Sequence, residues 1–392
     1  METHKALNAF KEHFGDADVS VFSAPGRTEV GGNHTDHQHG EVLCAAVDLE
    51  ALAVAAPCEG DTVHIYSEGY GMLEVSPSVK PECGTAESII YGVLKEAEKR
   101  GFKTGAFNAY VISNVIGGSG LSSSAAFEIL IGTCISYLFN NGKIDAVTNA
   151  IIGQAAENNS FGKPCGLMDQ MASSVGALCH IDFKDPSEPV FEKISFDLDK
   201  AGYDLCITDV KASHADLTDE YAAIPVEMKK VAAFFGKSVL REINESDVFE
   251  NIRALRKELG DRPVLRAIHF FEENKRVRRE CEALKNGDMP AFLENVRLSG
   301  NSSFKFLQNV YPSSDPTLQA VSVALAVSET VLDEDGSYAG ACRVHGGGFA
   351  GTIQAFVRKD KTEAYVSAMD SVFGKGSCLV LHIREAGGIK IM

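Results

Sequence analysis

Seven side chains that could bind or transfer a polar group crowd the segment directly after Pro25-Gly26: Arg27, Glu29, Asn33, His34, Asp36, His37 and His39. Three chemistries suit such a cluster. His34-Thr35-Asp36-His37 carries three nitrogen or oxygen ligands in four positions, which suits a metal ion. A metal site also needs distant ligands, and His180, His214, His269, His345 and His382 stand isolated. A solvated polar loop is the plainest alternative. The third is a site for a polyhydroxyl ligand, whose many donors and acceptors are matched by short Asp, Asn and His side chains on one loop.

Two glycine-rich segments mark places where the backbone must come close to something. Ile116-Gly117-Gly118-Ser119-Gly120-Leu121-Ser122-Ser123-Ser124-Ala125-Ala126 leads into a strongly periodic helix. A helix start offers unpaired N–H groups and the positive end of the dipole, and glycines let an anion approach them. Three successive serines add hydroxyls, one of them a possible Mg²⁺ ligand. No Lys follows the glycines, so this is not a Walker A loop. A plain turn with a serine N-cap competes, although it needs fewer glycines. His345-Gly346-Gly347-Gly348-Phe349-Ala350-Gly351 is a weaker signal, because a tight turn accounts for it equally well.

A third constellation runs from Glu157 to Gln170. Asp169 falls at a helix start, after a loop shaped by Gly162, Pro164 and Gly166. As an N-terminal helix acid it is unexceptional. Glu157, in contrast, closes the preceding helix, where the dipole disfavours a carboxylate; a cation nearby would explain it.

The elements that must position these residues follow from pattern. A helix is expected over residues 1–15, a strand over Val19–Ala24, and a buried strand over Val42–Ala56. Val63–Ser67 and Met72–Val75 form the arms of a hairpin around Glu68–Gly71. Ala86–Lys99 is a helix capped by Gly101. Phe107, Ala109 and Val111 alternate as a strand does. Phe127, Leu130, Ile131, Cys134, Ile135, Leu138 and Phe139 recur with helical period and predict one apolar face from Ser122 onward. Helices over Ala146–Asn158 and Asp169–Val175 and a strand over Ala177–Asp182 complete the first half. In the second, Leu205–Val210 is a strand and Ala215–Phe235 a helix with Pro225 as a possible interruption. Pro263–Lys285 and Met289–Ser299 are helical, and Cys342–Val344 and Thr352–Val357 flank the triple glycine as strands. The fold class is α+β in two lobes, residues 1–185 and 186–392, with a soft boundary near 180–200 and no internal repeat.

At 392 residues with 45% hydrophobic and 23% charged residues, the chain has ordinary globular composition. Its net charge of −17 opposes nucleic acid and anionic membranes as partners. No apolar stretch reaches the ~18 residues of a membrane span. Ten scattered cysteines without a C-x-x-C pair point to free thiols in a reducing cytoplasm. Oligomeric state is not legible, and a monomer is the default.

Taken together, the segments resemble galactokinases, within the superfamily that also holds homoserine, mevalonate and phosphomevalonate kinases. Ala24-Pro25-Gly26-Arg27 through Gly32-Asn33-His34-Thr35-Asp36 is similar to the galactokinase signature. Gly118-Ser119-Gly120-Leu121-Ser122-Ser123-Ser124-Ala125 is similar to the phosphate loop. Pro164-Cys165-Gly166-Leu167-Met168-Asp169-Gln170 matches the catalytic-aspartate segment, and Gly346-Gly347-Gly348-Phe349 the C-terminal glycine motif. Weaker echoes lie at Ile207-Thr208-Asp209 to Tyr221, at Arg266-Ala267-Ile268-His269, and at Glu273 with Arg276-Val277. The match runs from about residue 20 to 357, and four motifs in order carry it.

The resemblance implies a two-lobed small-molecule kinase fold with mixed sheets and flanking helices, and transfer of phosphate from ATP to the C1 hydroxyl of galactose. Arg27 and Asp169 would act at the transferred group. Asn33, His34, Asp36, Gly166 and Tyr221 would line the sugar site. Gly117, Gly118, Ser119, Gly120, Leu121, Ser122, Ser123 and Ser124 would wrap the ATP phosphates, with Ser124 and Glu157 holding Mg²⁺. Three positions depart from the family. Galactokinases usually have Asn two residues after the signature arginine and Glu six after it; here Glu29 and Asn33 stand there. His37 replaces the usual Tyr. Because that Glu normally bonds the sugar's C6 hydroxyl, Asn33 predicts an altered C6 preference and admits galacturonate as a rival substrate. A non-catalytic sugar and ATP sensor on the same fold is the rival from another class.

Overall fold

Two sheets and the helices packed on them make an α+β structure. The computed structural model describes residues 2–117, 120–212, 217–333, 336 and 339–392. The larger sheet is built from β1 (Ser20–Gly31), β2 (Glu41–Pro57), β3 (Val63–Ser67), β4 (Gly71–Val75), β5 (Phe107–Ser113), β6 (Leu178–Asp182) and β7 (Val190–Lys193). The smaller sheet comprises β8 (Tyr203–Asp209), β9 (Gly340–His345), β10 (Thr352–Arg358) and β11 (Cys378–Leu381); β12 (Ile389–Lys390) returns to the larger sheet beside β1. The order is β12-β1-β2-β5-β3-β4 in the first, with β6 pairing β2 and β7, and β11-β8-β10-β9 in the second. Every pairing is antiparallel except β3 with β5.

The apolar run of β2 lacks polar alternation because both faces of the strand are covered. Leu52, Val54 and Ala56 pack with Ala6 and Phe10 of α1 (Glu2–Phe14). Ala51, Ala53 and Ala55 join the main core on the other face. That core also takes in α2 (Ala86–Lys99), α3 (Ser123–Asn140), α4 (Ala146–Ala156) and α5 (Met168–Val175). In the second half, α6 (Thr218–Phe234), α7 (Glu245–Glu250), α8 (Ile252–Leu259), α9 (Asp261–Lys285) and α10 (Met289–Ser302) form a helical layer, while α11 (Ala320–Leu332) and α12 (Thr362–Phe373) pack on the smaller sheet. Among the described residues, no helix is long and apolar enough to cross a membrane.

Two expectations are corrected. α3 is not amphipathic with one buried stripe: Ala125, Ala126, Glu128, Ile129 and Leu130 are all fully buried. The helix is wedged between β1 and β2 on one side and α2, α4 and α5 on the others, so even Glu128 has no path to solvent. Pro225 does not interrupt α6, which runs through it; Ile224, Met228 and Val231 are fully buried and hold the helix across the lost backbone bond. Elements β7, β11, β12, α7, α8, α11 and α12 carry no expectation from sequence. Ala215, placed in the α6 expectation, lies outside the described residues.

Glu41, at the start of β2, ties the larger sheet to the helical layer. Its buried carboxylate accepts from Arg278 Nε of α9 at 3.0 Å, from Arg241 Nη1 at 3.1 Å and from His180 Nε2 of β6 at 3.1 Å. Burial alone would raise this carboxyl; hydrogen bonds from His180 and Arg278 outweigh it and hold the group at about 2. A folded-state value below the unfolded one means that the contribution is present above the ordinary carboxylate range and is lost as pH falls toward about 2. Glu41→Gln is therefore expected to cost about 2 kcal/mol in denaturant unfolding at neutral pH. The deficit relative to wild type should shrink between about pH 4.5 and pH 2. A pH-independent deficit would contradict the assignment.

Candidate active site

Arg27 lies on β1 between two register shifts, one between Pro25 and Arg27 and one between Glu29 and Gly31. Such irregularities re-aim a strand side chain. The Arg27 guanidinium reaches across 142 residues of chain to Asp169, with Nε 2.6 Å from Oδ1. Its Nη1 donates to the Gly120 carbonyl, and its backbone N–H donates to Leu121 O at 3.0 Å. Ser173 of α5 donates to Pro25 O at 2.7 Å, so β1 and the Asp169 helix are pinned side by side.

Asp169 has a second donor, the hydroxyl of Ser122. Ser122 occupies the N-cap position of α3 in a left-handed conformation, φ 54°, yet its side chain does not cap the helix. A non-glycine residue held at positive φ is a strained choice, and here the strain aims the hydroxyl at the carboxylate. Burial would raise the Asp169 carboxyl; the Arg27 charge, its hydrogen bond and that from Ser122 hold it below its ordinary value. The carboxylate is 31% exposed, open on one side.

The loop after β1 carries His34 and Asp36. Thr35 braces it with a single hydroxyl hydrogen shared between Gly32 O, 2.8 Å from Oγ1, and Glu41 O, 2.7 Å away. Helix α9 braces it from outside: His269 Nε2 donates to Asn33 O at 2.9 Å, and Glu273 Oε1 accepts from Gly32 N at 3.2 Å. Asp36 Oδ2 sits against Gly166, where an added Cβ would lie 1.7 Å from it. Only glycine admits that approach, so two expected sugar-site residues meet. The Gly166 loop is held by Asn158, whose Oδ1 accepts from Cys165 N at 2.7 Å.

His34 Nε2 donates to Gly347 O at 3.1 Å, and Tyr221 OH to Gly348 O at 2.9 Å. The Tyr221 ring lies so near Gly347 that a Cβ there would come within 2.5 Å of it. Desolvation lifts the Tyr221 phenol to about 12. Asn33 differs from its neighbours: it is 0% exposed, and its amide is bonded to Glu29, Gly346 and Asn309. This geometry corrects the expectation that Asn33 sets the C6 preference, since no face of the amide is open. The metal explanation of His34-Thr35-Asp36-His37 also fails, because among the described residues no three His, Cys, Asp or Glu side chains gather as ligands.

Glu157 begins a π-turn, Glu157–Phe161, that extends α4. Its Oε1 takes Lys163 Nζ at 3.1 Å, and its Oε2 takes Gln170 Nε2 at 3.0 Å. Gln170 Nε2 also donates to Glu128 Oε2 at 2.9 Å, which draws two buried carboxylates together. Glu128 Oε1 has no partner, and burial followed by the Glu157 charge pushes this carboxyl well above its usual range. Within the glycine-serine turn, Gly117 precedes the helix and Leu121 is fully buried; Ser123 and Ser124 are half-buried at the start of α3. Gly118 and Ser119 lie outside the described residues.

The galactokinase galactose-binding signature matches residues 8–57, and the N-terminal domain of GHMP kinases matches residues 88–177. A galactokinase of Glaesserella parasuis is 31% identical over 366 residues, covering 91% of this chain and 89% of that protein. The chain belongs to the galactokinase family. Another galactokinase, of Actinobacillus pleuropneumoniae, is 30% identical over 364 residues, 91% of this chain and 90% of its own. Among solved structures, the Lactococcus lactis galactokinase complexed with galactose superposes with a TM-score of 0.86 at 22% identity, over 100% of both chains. A mevalonate kinase superposes with a TM-score of 0.64 at 14% identity, over 93% of this chain and 99% of that one. These likenesses show the fold, an α+β kinase fold.

Three residues of this galactokinase-family site escaped the sequence. Glu128 is a single acid inside an apolar helix, and Arg343 a single charge inside the strand Gly340–His345; each oddity was a usable signal. Asn309, which bonds Asn33, carries no local signal. His34 yields a direct test. Desolvation, then the nearby His37, pushes its imidazole down to about 3, so its ring resonances should not titrate between about pH 5 and 8. An NMR titration showing a midpoint near 6.5 would contradict the placement.

Proposed function

We propose that the protein transfers the γ-phosphoryl group of ATP to the C1 hydroxyl of galactose. The observation that carries this is the Asp169 carboxylate: ionised, open on one side, and held by Arg27 and Ser122 beside Gly120 at the start of α3. Phosphoryl transfer depends mainly on positioning and on stabilising charge. Asp169 would orient the attacking hydroxyl and draw on its proton, while Arg27 would face the charge developing on the transferred group. His34, Asp36, Gly166 and Tyr221 would border the sugar. The turn from Gly117 to Ser124 would cradle the phosphates with its backbone N–H groups.

Mg²⁺ fits the residues present. A hard cation of this kind takes one or two carboxylates and completes its shell with substrate phosphates. Glu157 and Ser124 would hold it, and a cation there would relieve the crowding of the buried Glu157 and Glu128 carboxyls, which lifts Glu128 well above its usual range and leaves its Oε1 without a partner. When bound, the ion neutralises phosphate charge. Lys163 on Glu157 keeps that carboxylate oriented and balanced.

With this function we propose a cytoplasmic location, supported by ten free thiols, a monomer, and a division into residues 1–185 and 186–392 that follows the two sheets apart from β7 and the return of β12. Galacturonate loses its support because Asn33 is closed off, and the intact Arg27–Asp169 pair gives none to a sensor.

A coupled assay of ATP consumption with galactose tests the proposal. Asp169→Asn and Arg27→Ala should each lower kcat by about 10²–10⁴-fold while far-ultraviolet circular dichroism stays native. Wild-type rates in either variant would sink the mechanism.

A further inference from the structure

Asn33 stands six residues after Arg27, where the family resemblance leads one to expect Glu, and the structure shows a saturated side chain there. Both amide hydrogens of Asn33 are used: Nδ2 donates to Glu29 Oε1 at 2.9 Å and to Gly346 O at 2.7 Å. Both lone pairs of Oδ1 are used as well, accepting from Asn309 Nδ2 at 2.8 Å and Ser303 Oγ at 3.4 Å. An amide has two donors and two acceptor sites, so nothing remains for a ligand. The group is also fully buried.

Its partners show what the residue does. Glu29 is itself fixed by Arg343 of β9, whose Nη2 lies 2.5 Å from Oε1 and whose Nη1 donates to Val30 O at 2.7 Å. Arg343 is 0% exposed and faces the carboxyls of Glu29, Glu273 and Glu280, of which Glu29 is hydrogen-bonded to it; losing a bonded partner of a buried guanidinium is destabilising. Two of the departures from the family pattern, Glu at 29 and Asn at 33, are thus bonded to one another and form a matched pair. Asn33, His34 and Tyr221 bond the carbonyls of Gly346, Gly347 and Gly348 in turn. Asn309 donates to Gly347 O at 3.2 Å. At the other end of the same segment, a Cβ on Gly120 would lie 2.9 Å from His345 Nδ1 and 2.5 Å from Thr352 Oγ1. The glycine turn is therefore held between the signature loop and the turn that leads into α3.

We propose that Asn33 and Glu29 are positioning residues, which seat the Gly346–Gly348 turn against the phosphate-binding side of the site, and that discrimination at the sugar's C6 does not come from residue 33. The proposal rests on the kinase function above. Asn33→Glu is a poor probe, since besides a second carboxyl against Glu29 it adds a methylene to a fully buried site. Asn33→Asp removes both donors at nearly constant volume. Glu29→Gln keeps an acceptor for Asn33 and removes only the charge facing Arg343.

The experiment compares wild type, Asn33→Asp and Glu29→Gln by steady-state kinetics with ATP, using galactose and 6-deoxygalactose as acceptors. Expected are a fall in kcat of about tenfold or more and a rise in ATP KM of about fivefold in both variants. The ratio of kcat/KM for the two sugars should stay within about twofold of wild type. A variant that merely loses folded protein would lower kcat at unchanged KM, and that result would overturn the positioning role. A change of about tenfold or more in the sugar ratio for Asn33→Asp, with Glu29→Gln silent, would place residue 33 on the sugar and overturn the proposal alone. Glu29→Gln keeps the test decisive if Asn33→Asp does not fold. No phosphorylation of galactose by wild type would overturn the kinase function and this proposal together.

Discussion

The ion pair between Arg27 and Asp169 is the constraint that the rest of the site obeys. A guanidinium that is 7% exposed is costly to bury without its counter-charge, which favours the one register in which β1 and α5 meet. The irregular pairing of β1 on either side of Arg27 and the Ser173–Pro25 bond hold that register. The left-handed Ser122 adds the third member. Because Gly120 and Leu121 accept from the same arginine, the geometry that orients the carboxylate also fixes the entrance to α3. One interaction thereby joins the group that faces the acceptor hydroxyl to the turn that would face the phosphates.

A second tier of buried polar contacts joins the two halves of the chain around that pair. Glu41 holds β2 to α9 and to Arg241. His269 and Glu273 of α9 hold the loop carrying Asn33 and His34, and Arg343 of β9 holds Glu29. These contacts are costly to bury and lose value if any partner is missing, which favours one arrangement of sheet, loop and helix over near alternatives. The glycine turn is the point where they converge. Its three carbonyls are taken by Asn33, His34 and Tyr221, so the sugar-signature residues and the C-terminal motif form one rigid unit.

Much of the fold was legible from local pattern. Helix α2 has the predicted bounds Ala86–Lys99 and strand β3 the predicted bounds Val63–Ser67, since capping, periodicity and turn glycines are local properties. Two motifs, one holding Arg27 and Asp36 and the other Gly166 and Asp169, stood out because each contains backbone-shaping glycine and proline. What the sequence hid was long-range. The burial of α3 on all sides depends on five neighbouring elements, β1, β2, α2, α4 and α5, and its own periodicity cannot report them. The fate of Asn33 depends on Asn309 and Gly346, some three hundred residues away. Read as a lone substitution, Asn33 implied a changed C6 subsite; seen with Glu29 and Arg343, it is half of an internal exchange.

The central claim is that phosphate arrives at the anomeric carbon of galactose through the site at Asp169. The most direct measurement is ³¹P and ¹³C NMR of the product formed by the wild-type protein from ATP and galactose labelled with ¹³C at C1. A phosphorus–carbon coupling at the labelled C1, appearing as ATP is consumed, is the predicted result. Coupling at another carbon, or ATP consumption without a phosphosugar, would contradict it.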